Sequence, residues 1–405
     1  MGLGRASKAK KQKKEKSPVK EVEDDTDTED FLTVPLEVGA DADDPLSQLS
    51  ALWKTWLLSD RENELILNGV VNECDRLMRL AAEGGKEKDG ETNVKRSPEL
   101  YAIFGLALAD SARFHTEDDE NSGTAVKDYF DNAMGRVDNG LDKFGESGLL
   151  KFAKSSILMN RIPLEYISHM SFESKSNEYP DVTELLDDAL ELYREGSKDE
   201  NVKLGQELWI FEILEAFNDL QEIVRNFGRD QSEEIDSEEE VEEEEMEESG
   251  QIVSLLDEHH PLYKLIGKLE KPDYGEFFKD QVSNYLKHTE NNKQLKRKVA
   301  GKLGLWYLSK AEQAATKYGS GGKAESMDAA IGIIKTCIKH LKEAWSDEDP
   351  DSWVDLAEAQ ITYANLLPVD SKEQEHLYEL AEKSLKKANN ATHGKYTDIL
   401  ESLHD

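Results

Sequence analysis

Cysteine is scarce in this sequence, and its two cysteines lie far apart. Cys74 and Cys337 stand outside any CxxC pattern. A disulfide framework needs several pairs at short spacings, and a zinc site needs a cluster of Cys and His ligands, so neither is expected. We expect both thiols to be buried as small apolar groups.

Long apolar runs are also missing. No segment reaches the roughly 18 consecutive apolar residues that span a bilayer, and the basic N-terminus is not followed by the apolar segment of a signal peptide. The sequence therefore predicts a soluble, intracellular protein that does not associate with membranes.

Recognisable motifs of catalysis and cofactor binding are absent as well. The sequence has no P-loop, no G-x-G-x-x-G and no nucleophile elbow. His259 and His260 are adjacent and have no third ligand in view, so we expect a surface position at a helix start. Glu73 and Arg76 stand beside Cys74, which favours the solvent edge of an amphipathic helix over a catalytic carboxylate. We predict no enzyme activity, no catalytic residue, no metal and no cofactor.

Basic residues are few relative to acidic ones, yet they dominate the N-terminus. The chain has 50 Lys and Arg against 86 Asp and Glu, a net charge of −36, whereas residues 1–20 carry eight bases and one acid. The run KAKKQKKEK is typical of the clusters that nuclear import receptors bind. We predict a nuclear protein whose localisation signal consists of Lys8, Lys10, Lys11, Lys13, Lys14 and Lys16.

The basic tail allows a second interpretation and one form of regulation. It could instead improve solubility or contact RNA, and the sequence leaves that alternative open. Ser17 precedes Pro18 and is a candidate phosphorylation site. A phosphate there would add negative charge and weaken the signal.

Two further segments carry only negative charge. Residues 21–44 contain eleven acids and no base, and residues 230–248 contain thirteen acids and no base. When these two segments and the net charge of +7 on residues 1–20 are subtracted, the rest of the chain has a net charge of −19. Such a body repels phosphate backbones, so we expect no direct nucleic-acid binding and a protein partner whose surface is partly basic.

These charge blocks also predict where the chain does not fold. We expect residues 1–44 to be a disordered tail and residues 229–250 to be a disordered acidic insertion, because like charges repel and large apolar residues are few. Ser237 precedes three glutamates, a context that suits acidophilic kinases. The insertion is either a solvated loop or a binding site for histones or ribosomal proteins, which would make the chain an acidic chaperone.

From Pro45 onward, apolar residues recur with the spacing of helices, and no strand-like alternation of comparable length interrupts them. Asp44 is placed to cap the first helix, with Pro45 in its first turn, and a second helix is predicted over residues 62–82. The further predicted pairs are 97–115 with 123–141, 147–169 with 181–195, 292–318 with 325–345, and 351–367 with 372–390.

Fragments of the tetratricopeptide pattern recur within these pairs. Its W-x2-L-G-x2-Y segment is matched in type by Tyr101, Phe104, Gly105 and Leu108, and again by Leu303, Gly304 and Tyr307. Small residues at such positions let two helices approach closely. The sequence predicts an all-α fold, a TPR-like or HEAT-like helical-repeat solenoid over residues 45–405.

Residues 45–80 read PLSQLSALWKTWLLSDRENELILNGVVNECDRLMRL. Together with the Lys-rich tail, the acidic linker and the helical repeats, they resemble the fungal enhancer of translation termination family. The most specific stretch is the helix of Trp53 and Trp56 followed by LNGVVNECDRL at 67–77. The resemblance covers nearly the whole chain and is strongest from residue 45 to about 140. The acidic insertion is not carried over from the family.

The resemblance implies a nuclear, all-helical, non-enzymatic protein. Its implied partners are a prolyl-hydroxylase-type oxygenase that depends on 2-oxoglutarate and iron, and a nuclear import receptor. Family members are linked to accurate translation termination and to hypoxic gene expression. One member acts as a negative regulator of the oxygenase and as an adaptor for its nuclear import.

Overall fold

The fold is built from α-helices. The computed structural model describes residues 43–83, 94–116, 122–205, 207–228, 256–319 and 324–402. Within these ranges the regular elements are helical, apart from one isolated bridge between Ser346 and Asp349. The all-α prediction is confirmed. The basic tail and the acidic insertion lie outside the described residues, so the two disorder predictions stay predictions.

Several of the first seven helices begin after a residue whose side chain caps the first turn. Asp44 accepts a hydrogen bond from the Ser47 N–H at 3.0 Å, and Pro45 occupies the first turn, both as predicted. Ser97 caps the third helix in the same way. These helices are α1 (Pro45–Leu58), α2 (Glu64–Ala82), α3 (Pro98–Ser111), α4 (Ser122–Phe144), α5 (Gly148–Arg161), α6 (Val182–Gly196) and α7 (Leu208–Arg225).

In the described residues from 256 onward, three short helices are followed by four long ones and a final short one. The sequence predicted a helix resuming near Ile252, which lies outside the described residues, and it did not resolve the short helices that follow. Prolines at 261 and 272 divide this stretch. The helices are α8 (Tyr263–Leu269), α9 (Pro272–Gly275), α10 (Phe277–Lys287), α11 (Lys293–Gly319), α12 (Ala324–Ala344), α13 (Asp351–Asn365), α14 (Lys372–Ala391) and α15 (Thr397–Ser402).

Consecutive helices pack in pairs. Contacts join α1 with α2, α3 with α4, α5 with α6, α11 with α12, and α13 with α14, and further contacts join α2 to α3, α3 to α5, and α12 to α13. The predicted pairs are confirmed to within a few residues of each end. This pairing is compatible with a solenoid, while the TPR or HEAT type of the repeat stays a prediction.

Two glycines of the tetratricopeptide-like fragments show why small residues stand there. A Cβ on Gly105 in α3 would lie 2.5 Å from Val137 Cγ2 in α4, and one on Gly304 in α11 would lie 2.6 Å from Leu341 Cδ2 in α12. Both distances are too short for a real contact. The absence of a side chain therefore sets the close approach of each pair, as the sequence predicted.

Helix α5 does not end at Arg161 but widens. Pro163 has no N–H to donate, and the chain continues as a π-turn over Ile162–Tyr166, in which the Ile167 N–H bonds to the Ile162 carbonyl. A short 3₁₀ turn, Ile167–His169, follows. The helix predicted over 147–169 is therefore present but changes its geometry at the proline.

Apolar side chains form one large core and smaller ones. The large core runs from Leu49 in α1 to Trp306 in α11, and a second one runs from Leu308 in α11 to Leu377 in α14. Helix α11 thus belongs to both. No described helix has the length and apolar character needed to cross a membrane.

Candidate protein-interaction surfaces

The residues that the sequence singled out for import and phosphorylation lie outside the described residues. They are Lys8, Lys10, Lys11, Lys13, Lys14, Lys16, Ser17 and Ser237. Their roles stay predictions, and the described surface offers another place where a partner could bind.

The turn between α1 and α2 presents two exposed leucines. Leu58 is 60% exposed and Leu65 is 78% exposed, and Asp60 and Glu62 lie exposed between them. We call residues 58–65 the hairpin tip. Protein interfaces commonly combine a few apolar anchors with a polar rim, and the hairpin tip has both. It also lies within the stretch that carries the family resemblance most strongly.

The hairpin tip is held in place by polar contacts on both sides. The Ser59 hydroxyl donates to the Trp56 carbonyl at 2.8 Å, and the Arg61 N–H donates to that hydroxyl at 3.1 Å. The Trp56 indole N–H donates to Asp110 of α3 at 2.7 Å. The Arg61 guanidinium forms an ion pair with Glu212 of α7, 151 residues away in sequence. Because its base is fixed, the turn can present its leucines without a large loss of entropy on binding.

Helix α7 has an acidic edge, and some of its carboxylates form ion pairs with other parts of the protein. Burial raises the pKa of Glu212, and the Arg61 charge opposes that shift. The Glu215 carboxylate forms ion pairs with Lys298 at 3.0 Å and with Lys302 at 3.2 Å, both from α11. These pairs stabilise the contact between α7 and α11. The most buried acids of α7 are therefore structural and do not belong to an open binding surface.

The remaining negative charge is unevenly distributed along the sequence. Residues 45–228 contain 36 acids and 20 bases, a net charge of −16, whereas residues 256–405 contain 25 acids and 21 bases, a net charge of −4. A basic partner is therefore attracted more strongly to the helices of the first segment, which include the hairpin tip.

The two thiols lack the properties of reactive cysteines. Cys74 and Cys337 are buried and free, as predicted. Burial raises the pKa of Cys74, and Glu73 and Asp75 add to the effect. Burial, followed by Glu312 and other acids, raises the pKa of Cys337 to about 12. At neutral pH both stay protonated, which makes them poor nucleophiles and poor metal ligands.

The charged residues beside Cys74 lie where the sequence placed them. Arg76 pairs with Glu73 at 2.7 Å and Arg79 with Asp75 at 2.9 Å, along the partly exposed side of α2. Within the described ranges, no three His, Cys, Asp or Glu side chains are placed to hold a metal ion together.

The surface position predicted for His260 is wrong. His259 is exposed, but His260 is only 2% exposed. Its Nδ1 accepts the Leu262 N–H at 3.1 Å, so its Nε2 carries the hydrogen and donates to the Ser171 carbonyl at 3.0 Å. Burial lowers the pKa of this imidazole, which keeps it neutral. His260 tethers the chain before α8 to the segment after α5.

Comparison with known proteins agrees with this all-helical architecture. The family model described as nuclear pore complex subunit Nro1 matches residues 1–404. A protein of Debaryomyces hansenii named Enhancer of translation termination 1 is 40% identical over 449 aligned positions, which cover all of this chain and 98% of the relative. The protein of the same name from Saccharomyces cerevisiae (strain YJM789) is 36% identical over 425 positions, with the same coverage.

A similar fold is present in a solved structure of another protein. It is described as Nro1, a hypoxic regulator of sterol synthesis and a nuclear import adaptor, and it matches with a TM-score of 0.50 and 15% identity over 88% of this chain and 92% of that one. The matching family is non-enzymatic, which confirms the prediction that this chain is not an enzyme. The family model matches residues 1–404, and a relative covered along the whole length of this chain is 40% identical to it. The chain therefore belongs to the Nro1 family, whose curated relatives are named enhancers of translation termination.

Proposed function

We propose that this chain is a nuclear adaptor with two separate binding regions. Its basic tail binds an import receptor, and its helical body binds a prolyl-hydroxylase-type oxygenase that depends on 2-oxoglutarate and iron. The observation that carries the proposal is the family match from residue 1 to residue 404, which includes both tail and body. The solved relative described as a nuclear import adaptor supports the same role.

Charge supports the division between tail and body. The tail has a net charge of +7 and the body outside the acidic segments has −19. Since such a body is repelled by nucleic acid, the tail serves better as a signal for a receptor than as an anchor on DNA or RNA. A partner bound to the body would then travel with the tail into the nucleus.

The same contact would also regulate the partner. An adaptor that covers or stiffens an oxygenase lowers its activity without doing any chemistry itself. In this proposal the chain acts on translation termination and on hypoxic gene expression, including its transcription, through the oxygenase. The hairpin tip, with its exposed leucines in an acidic surround, is part of the surface that binds the partner.

Import is tested by changing two lysines of the tail. We expect Lys10→Ala with Lys11→Ala to abolish nuclear accumulation of a fluorescent fusion in yeast cells, while binding to the oxygenase in a pull-down is unchanged. The matched control is Lys175→Ala with Lys203→Ala, which removes the same charge from exposed positions of the body. Nuclear accumulation that survives deletion of residues 1–20 would refute the import role of the tail.

The partner surface is tested at the hairpin tip. We expect Leu58→Ser with Leu65→Ser to weaken binding of the oxygenase at least about tenfold, because two apolar anchors worth about 1 kcal/mol each are lost. Val369→Ser with Ile223→Ser is the control, since these side chains are 81% and 40% exposed elsewhere. Isothermal titration measures both. Equal weakening by the two double variants would remove the hairpin tip from the proposed interface.

An acidic chaperone for histones or ribosomal proteins is the second candidate. The observation that favours it is the segment of thirteen acids and no base at 230–248. On this alternative, deletion of that segment abolishes binding to core histones. On the adaptor proposal, the same deletion leaves oxygenase binding intact.

A further inference from the structure

Helices α12 and α14 both pack against α13. At one end, the Lys335 ammonium lies 5.3 Å from the ring centroid of Tyr363, whose hydroxyl donates to Glu373 in α14 at 2.8 Å. At the other end, the Lys387 ammonium lies 5.1 Å from the ring centroid of Trp345, which follows α12. These two bridges are ten residues apart along α12 and fourteen residues apart along α14, so the two helices run in the same direction.

Further lysines lie on the sides of α12 and α14 that carry these bridges. Lys339 and Lys342 come one and two turns after Lys335 on α12, and Lys383 comes one turn before Lys387 on α14. We call these five residues the lysine groove. Lys339, Lys342 and Lys383 are exposed, and none of the three has an ion pair or hydrogen bond with another residue that the structure describes.

The α12 side of the groove contains a depression of about 440 Å³, lined by Lys335, Ile338, Lys339, Lys342 and Glu343. Ile338 is 9% exposed and forms an apolar floor. The volume lies within the range of ordinary ligand sites. The depression therefore offers both charge at its edges and a small apolar contact beneath.

The sign of the charge in the groove is unusual for this molecule. The chain carries 36 more acids than bases, so a lysine readily finds a carboxylate, as Lys387 does with Asp347 at 2.6 Å. Glu373 and Asp347 lie at the two ends of the groove, and Glu343 is the acid that lines the depression. Three lysines without a carboxylate partner among the described residues leave positive potential at its centre.

We propose that the lysine groove binds an extended acidic peptide segment of a partner protein. Along α12 the lysines are about 6 Å and about 4.5 Å apart, from the helical rise of about 1.5 Å per residue. An extended peptide places alternate side chains about 6.6 Å apart. Alternate carboxylates of the peptide therefore meet successive lysines, while a small side chain between them reaches Ile338.

This site is independent of the oxygenase. The body as a whole attracts basic surfaces, whereas the lysine groove selects acidic ones, so the two binding events need different partners or different parts of one partner. Opposite charges on separate surfaces also keep the two ligands from competing.

The test uses the full-length protein and a fluorescein-labelled ten-residue peptide of alternating Glu and Ala. Anisotropy is measured in about 25 mM salt, where charge attraction is weakly screened. We expect Lys339→Gln, Lys342→Gln and Lys383→Gln together to raise the Kd roughly tenfold. The control triple, Lys175→Gln, Lys198→Gln and Lys203→Gln, removes the same charge from exposed positions and should change the Kd less than about twofold. Circular dichroism checks that both triples keep their helical content.

Three results would overturn the proposal. The first is no binding of the peptide, and the second is equal weakening by both triples, which would show a general effect of net charge. The third concerns the chain's own acidic segment. If a variant without residues 230–248 bound the peptide about tenfold more tightly, that segment and not a partner would be the ligand of the groove.

Discussion

At the scale of single residues, Asp355 is a carboxylate that the fold holds at an energetic cost. It lies partly buried in α13. Burial raises its pKa to about 6, the neighbouring acids Glu358, Asp349 and Asp351 add to the shift, and Lys302 opposes it. Because the folded pKa is above that of an exposed aspartate, folding favours the protonated form. The stability that this brings is present at low pH and is lost as the pH rises through 6.

Asp355→Asn should therefore make stability less dependent on pH. At pH 7.5 we expect the variant to be more stable than the wild type by up to about 3 kcal/mol, and at pH 4 we expect the two to be equal. Thermal denaturation at several pH values measures this. Asp128→Asn, at an exposed position of α4, is the control for removal of one carboxylate. A variant that is equally stabilised at both pH values would contradict the assignment.

Single polar residues were the hardest to place from the sequence. The burial of Cys74 and Cys337 followed from residue type, whereas His260 was predicted at the surface and is buried. Its position depends on the Ser171 carbonyl, 89 residues away in sequence. No local pattern contains that partner, because a side chain and a carbonyl from distant segments meet only after folding.

At the scale of helices, the packing of α3 on α4 depends on one missing side chain. A Cβ on Gly105 would lie 2.5 Å from Val137 Cγ2 and 3.2 Å from the Ala133 carbonyl oxygen. The second neighbour is backbone and cannot turn away. The two helices would have to separate to accept even an alanine.

Two alanine substitutions in this pair should therefore have opposite effects. We expect Gly105→Ala to destabilise the protein by about 1–3 kcal/mol through overpacking. We expect Gly135→Ala, which has no atom within 4 Å of its new Cβ, to stabilise it by about 0.5–1 kcal/mol through helix propensity. Urea denaturation measures both. A stabilising Gly105→Ala would show that α3 and α4 adjust freely.

Long helices were predictable and short ones were not. The predicted pairs from α1 to α6 and from α11 to α14 contain enough turns for apolar periodicity to show. Helices α8, α9 and α10 have 7, 4 and 11 residues, too few for a reliable period. The lysine groove was not predicted either. Lys342 and Lys383 are 41 residues apart in sequence and belong to one surface only after α12 and α14 have packed on α13.

At the scale of the whole molecule, the two main apolar cores differ in size. The first unites α1 to α10 with the start of α11, while the second serves α11 to α14 and is supplemented by small clusters such as that of Trp353, Ala388 and Tyr396. Smaller cores protect their helices less well against local opening. The helices α13 and α14 should therefore exchange amide hydrogens earlier than α3 to α6.

Trp353→Ala should change hydrogen exchange in α13 and α14 but not in α3 to α6. Trp353 is 3% exposed, donates to the Ser346 carbonyl at 2.6 Å and lies 4.0 Å from the Lys387 ammonium. Loss of this side chain lowers the free energy of unfolding by about 3–5 kcal/mol. We expect faster hydrogen exchange in α13 and α14 with little change in α3 to α6. Trp56→Ala is the counterpart and should act on α1 to α3. Loss of protection throughout the molecule in both variants would mean one cooperative unit.

The two buried thiols make the natural sequence a convenient background for fluorescent labelling. Bulky maleimide dyes react with exposed thiolates, and Cys74 and Cys337 are neither exposed nor ionised at neutral pH. A cysteine introduced at an exposed position, as in Lys175→Cys, would take the dye without removal of the native ones. A second dye on an import receptor would then report the distance between the receptor and the helical body during transport.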